Sequence, residues 1–341
     1  MRAVAQDGDS DLLRLLVHIV AADMAYLQGN IPKAQEELAR GTGFSASFGP
    51  AEPLLISHRV RAWCAVLSGN PEQAIELTEH GITLGLRHGL ARLTFSLIGQ
   101  QVTILIHAGR VPEARKLAAR WGVFDDSWQS RFQPASESLN AVHRRILAEI
   151  AIAEGRAQEA ITQLHLQERR QRNRVALSDA LRLRLLKAHA LAQAEKADDA
   201  AREISRAAQM AQDSGLVVPF MEYARFAAPL LRDVIARRAA TDTPPELLKA
   251  SAEAQLLARI DQTAPSILPP DPEDDPEPDA LTEREIELLQ LIESGLTNAQ
   301  IAAHLVISVA TVKWHLYNAF QKLGVRNRMG ALAAARKHGL L

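Results

Sequence analysis

Gly29-Asn30-Ile31-Pro32-Lys33-Ala34, Gly69-Asn70-Pro71-Glu72-Gln73-Ala74, Gly109-Arg110-Val111-Pro112-Glu113-Ala114, Gly155-Arg156-Ala157-Gln158-Glu159-Ala160 and Glu195-Lys196-Ala197-Asp198-Asp199-Ala200 align without gaps. Their anchors lie 40, 40, 46 and 40 residues apart. Each block follows one apolar helical stretch and precedes another. Glycine accepts positive φ and so ends a helix, and proline two or three residues later suits the start of the next. The alanine five residues after the anchor lets two helices approach closely. A repeat of this length made of two helices predicts an α-solenoid of about five hairpins. The fifth block is the weakest, because Glu195 stands where the others have glycine.

The surrounding composition agrees. Of 341 residues, 47% are hydrophobic and only 4% aromatic. The apolar content is mostly Ala and Leu, which favour helix over strand. The fold class expected is therefore all-α. A net charge of −1 excludes a uniformly polybasic or polyacidic chain. The single cysteine, Cys64, excludes an internal disulfide and a multi-cysteine metal site, and points to a reducing compartment. No stretch is long and apolar enough to read as a membrane span. Leu12–Leu27 is hydrophobic but carries Arg14, His18 and Asp23, which argues against a signal peptide. A cytoplasmic location is expected.

Pro265–Asp279 reads PSILPPDPEDDPEPD, with six prolines, six acidic residues and no basic ones. It reads as an extended, self-repelling, disordered linker. The expected division is 1–264 for the repeats, 265–279 for the linker and 280–341 for a C-terminal module. That module holds seven Lys/Arg against four acids, a net +3 hidden by the near-neutral total. Such asymmetry points to nucleic acid as a partner of the basic part.

Within the module, Thr282–Glu285 and Thr297–Gln300 both read as capping boxes. Gly295 suits the left-handed position at the end of the first helix, with Leu296 making the accompanying apolar contact. Ser308 caps a third helix running to Leu323, and Asn327 can cap a fourth. Two helices around a tight turn, with Ala302 where the second crosses, describe a helix-turn-helix whose third helix enters the major groove. Val312, Leu316, Ala319 or Phe320, and Leu323 form its inward stripe. The opposite stripe carries Lys313, Trp314, Tyr317 and Gln321, the candidate base-reading residues. Lys313 can donate to guanine, and Trp314 and Tyr317 can meet thymine methyls or backbone. Candidate phosphate contacts are Thr297 and Asn298 at a helix N-terminus, with Ser308, Thr311, His315, Lys322, Arg326 and Arg328 around the recognition helix. His315 reads equally as a buttress of the fold.

Leu281-Thr282-Glu283-Arg284-Glu285, Gly295-Leu296-Thr297-Asn298, Ile301-Ala302, Ile307-Ser308, Thr311-Val312-Lys313-Trp314-His315 and Lys322-Leu323-Gly324-Val325-Arg326-Asn327-Arg328 resemble the LuxR-type DNA-binding domain. The resemblance covers nearly all of the last 62 residues. It implies four helices, the third reading double-stranded DNA and the fourth often pairing in a homodimer. Lys313, Trp314 and Tyr317 fall where that family makes base contacts, although tryptophan is unexpected at 314. The N-terminal part is similar to the TPR-like repeats of MalT-like LuxR regulators. Gly215–Phe220 followed by Pro229-Leu230-Leu231 looks like the end of that domain. In those regulators an NTPase domain precedes the repeats, which help sense an inducer. This chain has no phosphate loop, so it reads either as a truncated relative or as the C-terminal part of a longer product.

The function so implied is a transcription regulator whose repeats take an unidentified small-molecule or protein effector. The other reading is an interaction scaffold whose C-terminal module chiefly dimerises or binds DNA without sequence preference. An enzyme has little support: no nucleophile–base pair, metal-ligand spacing or nucleotide loop is present, and no cofactor or metal is expected. Four aromatics around the 46-residue interval, Trp121, Phe124, Trp128 and Phe132, stand out. The last three are spaced by four, as on one helical face. They read as a core patch or as an effector or partner pocket. Asp125-Asp126 reads as a helix start rather than a metal site, and Arg169–Arg174 as a solvated helix end rather than a nucleic-acid contact.

Overall fold

The structure is a computed structural model. It describes residues 2–41, 51–133, 136–170, 176–241, 244–263, 281, 283–298, 300, 301, 312, 316, 319, 323, 325 and 328–337. The Pro/acid segment 265–279 lies outside the described residues. The described residues are all-α. The chain divides into two compact units, Met1–Leu268 and Pro269–Leu341.

The first unit contains five helical hairpins. They are α1 (Arg2–Leu27) with α2 (Ile31–Arg40), α3 (Ala51–Leu67) with α4 (Pro71–Arg87), and α5 (Ala91–His107) with α6 (Val111–Arg120). After a one-turn helix, α7 (Trp128–Arg131), come α8 (Glu137–Ala153) with α9 (Ala157–Arg170), and α10 (Leu177–Gln193) with α11 (Ala197–Ser214). A short α12 (Val218–Glu222) leads to α13 (Ala224–Ala239), α14 (Pro245–Ala250) and α15 (Ala252–Thr263). The first helices of successive hairpins stack in order, α1 on α3, α3 on α5, α5 on α8 and α8 on α10. No described helix is long and apolar enough to cross a membrane.

Every hairpin turns in the same way, and the cause is visible in the five sequence blocks. The anchors Gly29, Gly69, Gly109 and Gly155 all have positive φ, and so does Glu195. At each, the anchor amide donates to the carbonyl three residues back and the next amide to the carbonyl five back of it. Gly109 thus reaches Ile106 at 3.0 Å and Arg110 reaches Leu105 at 2.8 Å, while Glu195 reaches Ala192 at 3.0 Å and Lys196 reaches Leu191 at 2.9 Å. This is the Schellman arrangement, which satisfies the last carbonyls of a helix. Pro71 opens α4, and Pro32 and Pro112 sit at the second positions of α2 and α6. Asn30 caps α2 by accepting the Lys33 amide at 3.2 Å. The alanines five after each anchor, Ala34, Ala74, Ala114, Ala160 and Ala200, are all buried.

The unit also bends back on itself. Alpha-helix α12 packs against α1, α3 and α10, which belong to the first, second and fifth hairpins. The Val217 amide donates to the Leu27 carbonyl at 3.0 Å. Val217 through Ala224 are all buried. A buried ion pair anchors this segment: Arg182 Nε and Nη2 donate to the two Glu222 carboxylate oxygens at 2.6 and 2.7 Å, and the Tyr26 hydroxyl donates to the same group. Burial works against the ionised form of Glu222, but the Arg182 charge and hydrogen bonds outweigh it and hold the carboxyl below its ordinary value.

The aromatic interval departs from the one-face expectation. Gly122 and Asp126 have positive φ, so the chain turns twice before α7 and no single helix carries Phe124, Trp128 and Phe132. Asp125 Oδ1 accepts the Ser127 amide at 3.1 Å, which places this pair at the start of α7. Alpha-helix α9 ends at Arg170, and both Arg169 and Arg170 are exposed; residues 171–174 lie outside the described residues.

Candidate nucleic-acid interface

Among the described residues, the first helix of the second unit is α16 (Glu283–Glu293) and the last is α17 (Arg328–Lys337). Alpha-helix α16 is amphipathic: Leu288, Leu289 and Ile292 are buried, while Glu287 and Gln290 are exposed. It ends through Gly295, at φ +83°. The Leu296 amide reaches back to the Leu291 carbonyl at 3.2 Å, and Leu296 packs on the small core, as the Schellman reading predicts.

The second capping box is formed. The Thr297 amide donates to Gln300 Oε1 at 2.9 Å, and the Gln300 amide donates to Thr297 Oγ1 at 3.4 Å. The Thr297 hydroxyl also donates to Gln300 Oε1 at 2.9 Å. These reciprocal bonds fix the entry of the helix that carries Ile301 inward. Thr297 is exposed and Asn298 half-buried at this helix start. The first box, at Thr282, lies outside the described residues.

Val312, Leu316 and Ala319 are helical and buried, the spacing of one helical face. Val312 and Leu316 join Leu288, Ile292 and Ile301 in one cluster. Leu289, Ala331 and Ala335 form a second, with Leu281, Leu323 and Val325 packed against it. Arg328 takes a structural position: its guanidinium donates to the Leu296 carbonyl and, at 3.3 Å, to the Ile292 carbonyl. It thereby satisfies carbonyls at the end of α16, where a cation is favourable. Arg336 pairs with Glu293 at 2.9 Å and ties α17 to α16. The remaining expected contacts, Ser308, Thr311, Lys313, Trp314, His315, Tyr317, Gln321, Lys322 and Arg326, lie outside the described residues.

Residues 279–335 match the family model of bacterial regulatory proteins, luxR family. The C-terminal module is a LuxR-type helix-turn-helix domain. The HTH-type transcriptional regulator AlkS of Alcanivorax borkumensis is 35% identical over 114 residues, 33% of this chain and 12% of that protein. The HTH-type transcriptional regulator MalT of Serratia proteamaculans is 32% identical over 207 residues, 57% of this chain and 22% of that protein. The second match is longer than the LuxR-type domain alone. The matched segments span less than a quarter of either relative's length.

In the first unit the structure separates the four aromatics. Trp128 and Phe132 are core residues: Trp128 stacks on Phe95 at 4.8 Å between centroids, and Phe132 lies 5.0 Å from the same ring. Trp121 is half-buried against Phe132. Phe124 is exposed, with the Arg115 guanidinium 4.8 Å over its ring.

Sequence reasoning missed the buried polar residues around α12. Besides Arg182 and Glu222, the Glu149 carboxylate accepts the Thr103 hydroxyl at 2.6 Å and the Tyr223 hydroxyl at 2.7 Å. Burial raises the Glu149 pKa and the Tyr223 pKa. His107 stands between Trp63 and Tyr223, and burial pushes its pKa down to about 4. A readable signal existed at Arg182. Its place between Leu181 and Leu185–Leu186 puts a charge in phase with the apolar stripe of α10.

Proposed function

We propose that the chain regulates transcription from the cytoplasm, the LuxR-type domain binding promoter DNA and the helical unit receiving an effector or partner. The observation that carries this reading is the LuxR-type helix-turn-helix itself, with its second helix capped by Thr297 and Gln300 and its third anchored inward by Val312 and Leu316. With 312, 316 and 319 inward, a helical period assigns 313, 314, 317 and 321 to the groove-facing stripe. Lys313, Trp314, Tyr317 and Gln321 then read bases. Thr297, Asn298, Ser308, Thr311, His315, Lys322 and Arg326 position the backbone, with Arg328 joining them if it leaves the carbonyls of α16.

One small module offers few contacts, and a homodimer paired through α17 doubles them over half-sites about one helical turn apart. In this reading residues 1–264 are the sensing domain, 265–279 a disordered linker and 280–341 the DNA-binding domain. Fluorescence anisotropy on a selected duplex and on a scrambled one tests it. Lys313→Ala should lower affinity for the selected duplex by about 1–3 kcal/mol and relax discrimination. Lys322→Ala should weaken both duplexes alike and reduce the salt slope by about one. Equal effects of the two substitutions on both duplexes would contradict base reading by the third helix.

A further inference from the structure

The helical unit holds a partly open cavity of about 780 Å³ that the aromatic interval does not explain. Alpha-helices α3, α5, α8 and α10 each give it one face, and Glu222 and Tyr223 close one side. It is within the size range of small-molecule sites. Leu55, Trp63, Val142 and Leu183 supply apolar wall.

Its charges are unevenly used. Arg182 is bound by Glu222, and Arg92 pairs with Glu52 at 2.9 Å. Arg145, on α8, has no carboxylate within salt-bridge distance among the described residues. The carboxylate acting on it is Glu149, one turn along α8, whose two oxygens already accept the Thr103 and Tyr223 hydroxyls. Arg59, on α3, pairs with Asp23 through Nη2, and its Nε is closed to the cavity. Arg59 acts electrostatically on Glu222, and Arg145 on the adjacent Tyr223. Both side chains line the cavity together with Glu222 and Tyr223. An anionic ligand in the cavity would give Arg145 the acidic partner it lacks. Gly99 of α5 makes room for this arrangement, since a Cβ there would lie 3.2 Å from Arg145 Nη2 and 2.8 Å from Val142.

We propose that this cavity binds a small amphipathic organic anion, its acidic group held by Arg145 and its apolar body lying against Trp63, Val142 and Leu183. As the identity of the effector this rests on the sensing role proposed above; as a binding site it stands alone. The ligand class is a carboxylate or phosphate ester on an apolar body, rather than a free inorganic anion.

The test uses the full chain and two dyes of one shape. 8-Anilinonaphthalene-1-sulfonate carries an acidic group, and N-phenyl-1-naphthylamine is its neutral counterpart. The sulfonate should bind with one-to-one stoichiometry and about tenfold or more tighter than the neutral dye, the gain of a charge-assisted bond. Arg145→Met should abolish that preference, and Arg145→Lys should keep most of it, with circular dichroism confirming that both variants fold. Decanoate should displace the sulfonate at concentrations where inorganic phosphate does not. The proposal is overturned by absence of saturable sulfonate binding, by equal affinity for both dyes, by a preference that survives Arg145→Met, or by equal displacement by phosphate. Failure of the sensing role is separately visible: ligand binding would persist, but DNA affinity would not change when decanoate is added.

Discussion

The turns at Gly29 and at Glu195 have the same backbone path and opposite surroundings. Both anchors are left-handed, at φ +81° and +59°, and both close the helix with the same pair of amide–carbonyl bonds. Yet a Cβ on Gly29 would lie 2.9 Å from Val217 and 3.2 Å from Met221, whereas Glu195 projects into solvent. The first turn is a packing surface for the returning chain; the last only reverses direction. Glycine at 29 is thus demanded twice, by φ and by space, and at 195 only by φ, a cost that a non-glycine residue can carry.

Breaking the returning segment should have the largest effect. Arg182→Met leaves Glu222 buried without its partner, and chemical denaturation should show a loss of about 3–5 kcal/mol. Gly29→Ala comes next, combining left-handed strain with overpacking against Val217, for about 2–4 kcal/mol. Gly109→Ala meets no atom within 4 Å, so it should cost only the conformational strain, about 1–2 kcal/mol. Equal losses at 29 and 109 would remove the distinction between the two kinds of turn. Smallest and opposite in sign, Glu195→Gly should stabilise by about 0.5–1 kcal/mol, because relief of strain is partly offset by a more flexible unfolded chain. Thermal unfolding of the paired variants ranks all four.

That ranking also marks what the sequence could reveal. The hairpins were legible because their determinants are local: an anchor, a proline and a small residue lie within six positions of one another. The same holds for Gly295 and the Thr297–Gln300 box in the LuxR-type domain, where each partner is at most five residues away. The return of α12 was not legible. Tyr26 and Glu222 are 196 residues apart, and Arg182 and Glu222 are 40 apart, so no periodicity couples them. The aromatic interval misled for a related reason. Spacing by four suggests one helical face, but Gly122 and the left-handed Asp126 redirect the chain between those residues. At the site itself, the Arg328 contact with the Ile292 and Leu296 carbonyls spans more than 30 residues and was likewise not legible.

The central claim is that the chain reads DNA sequence. Its most direct test is to mix the purified chain with fragmented genomic DNA of its source, recover the bound fragments and sequence them. Enrichment of a short motif with two-fold symmetry is the predicted result, and it would name the promoters. Uniform recovery of fragments, with or without decanoate, would contradict the account, because the LuxR-type domain would then bind charge without reading bases.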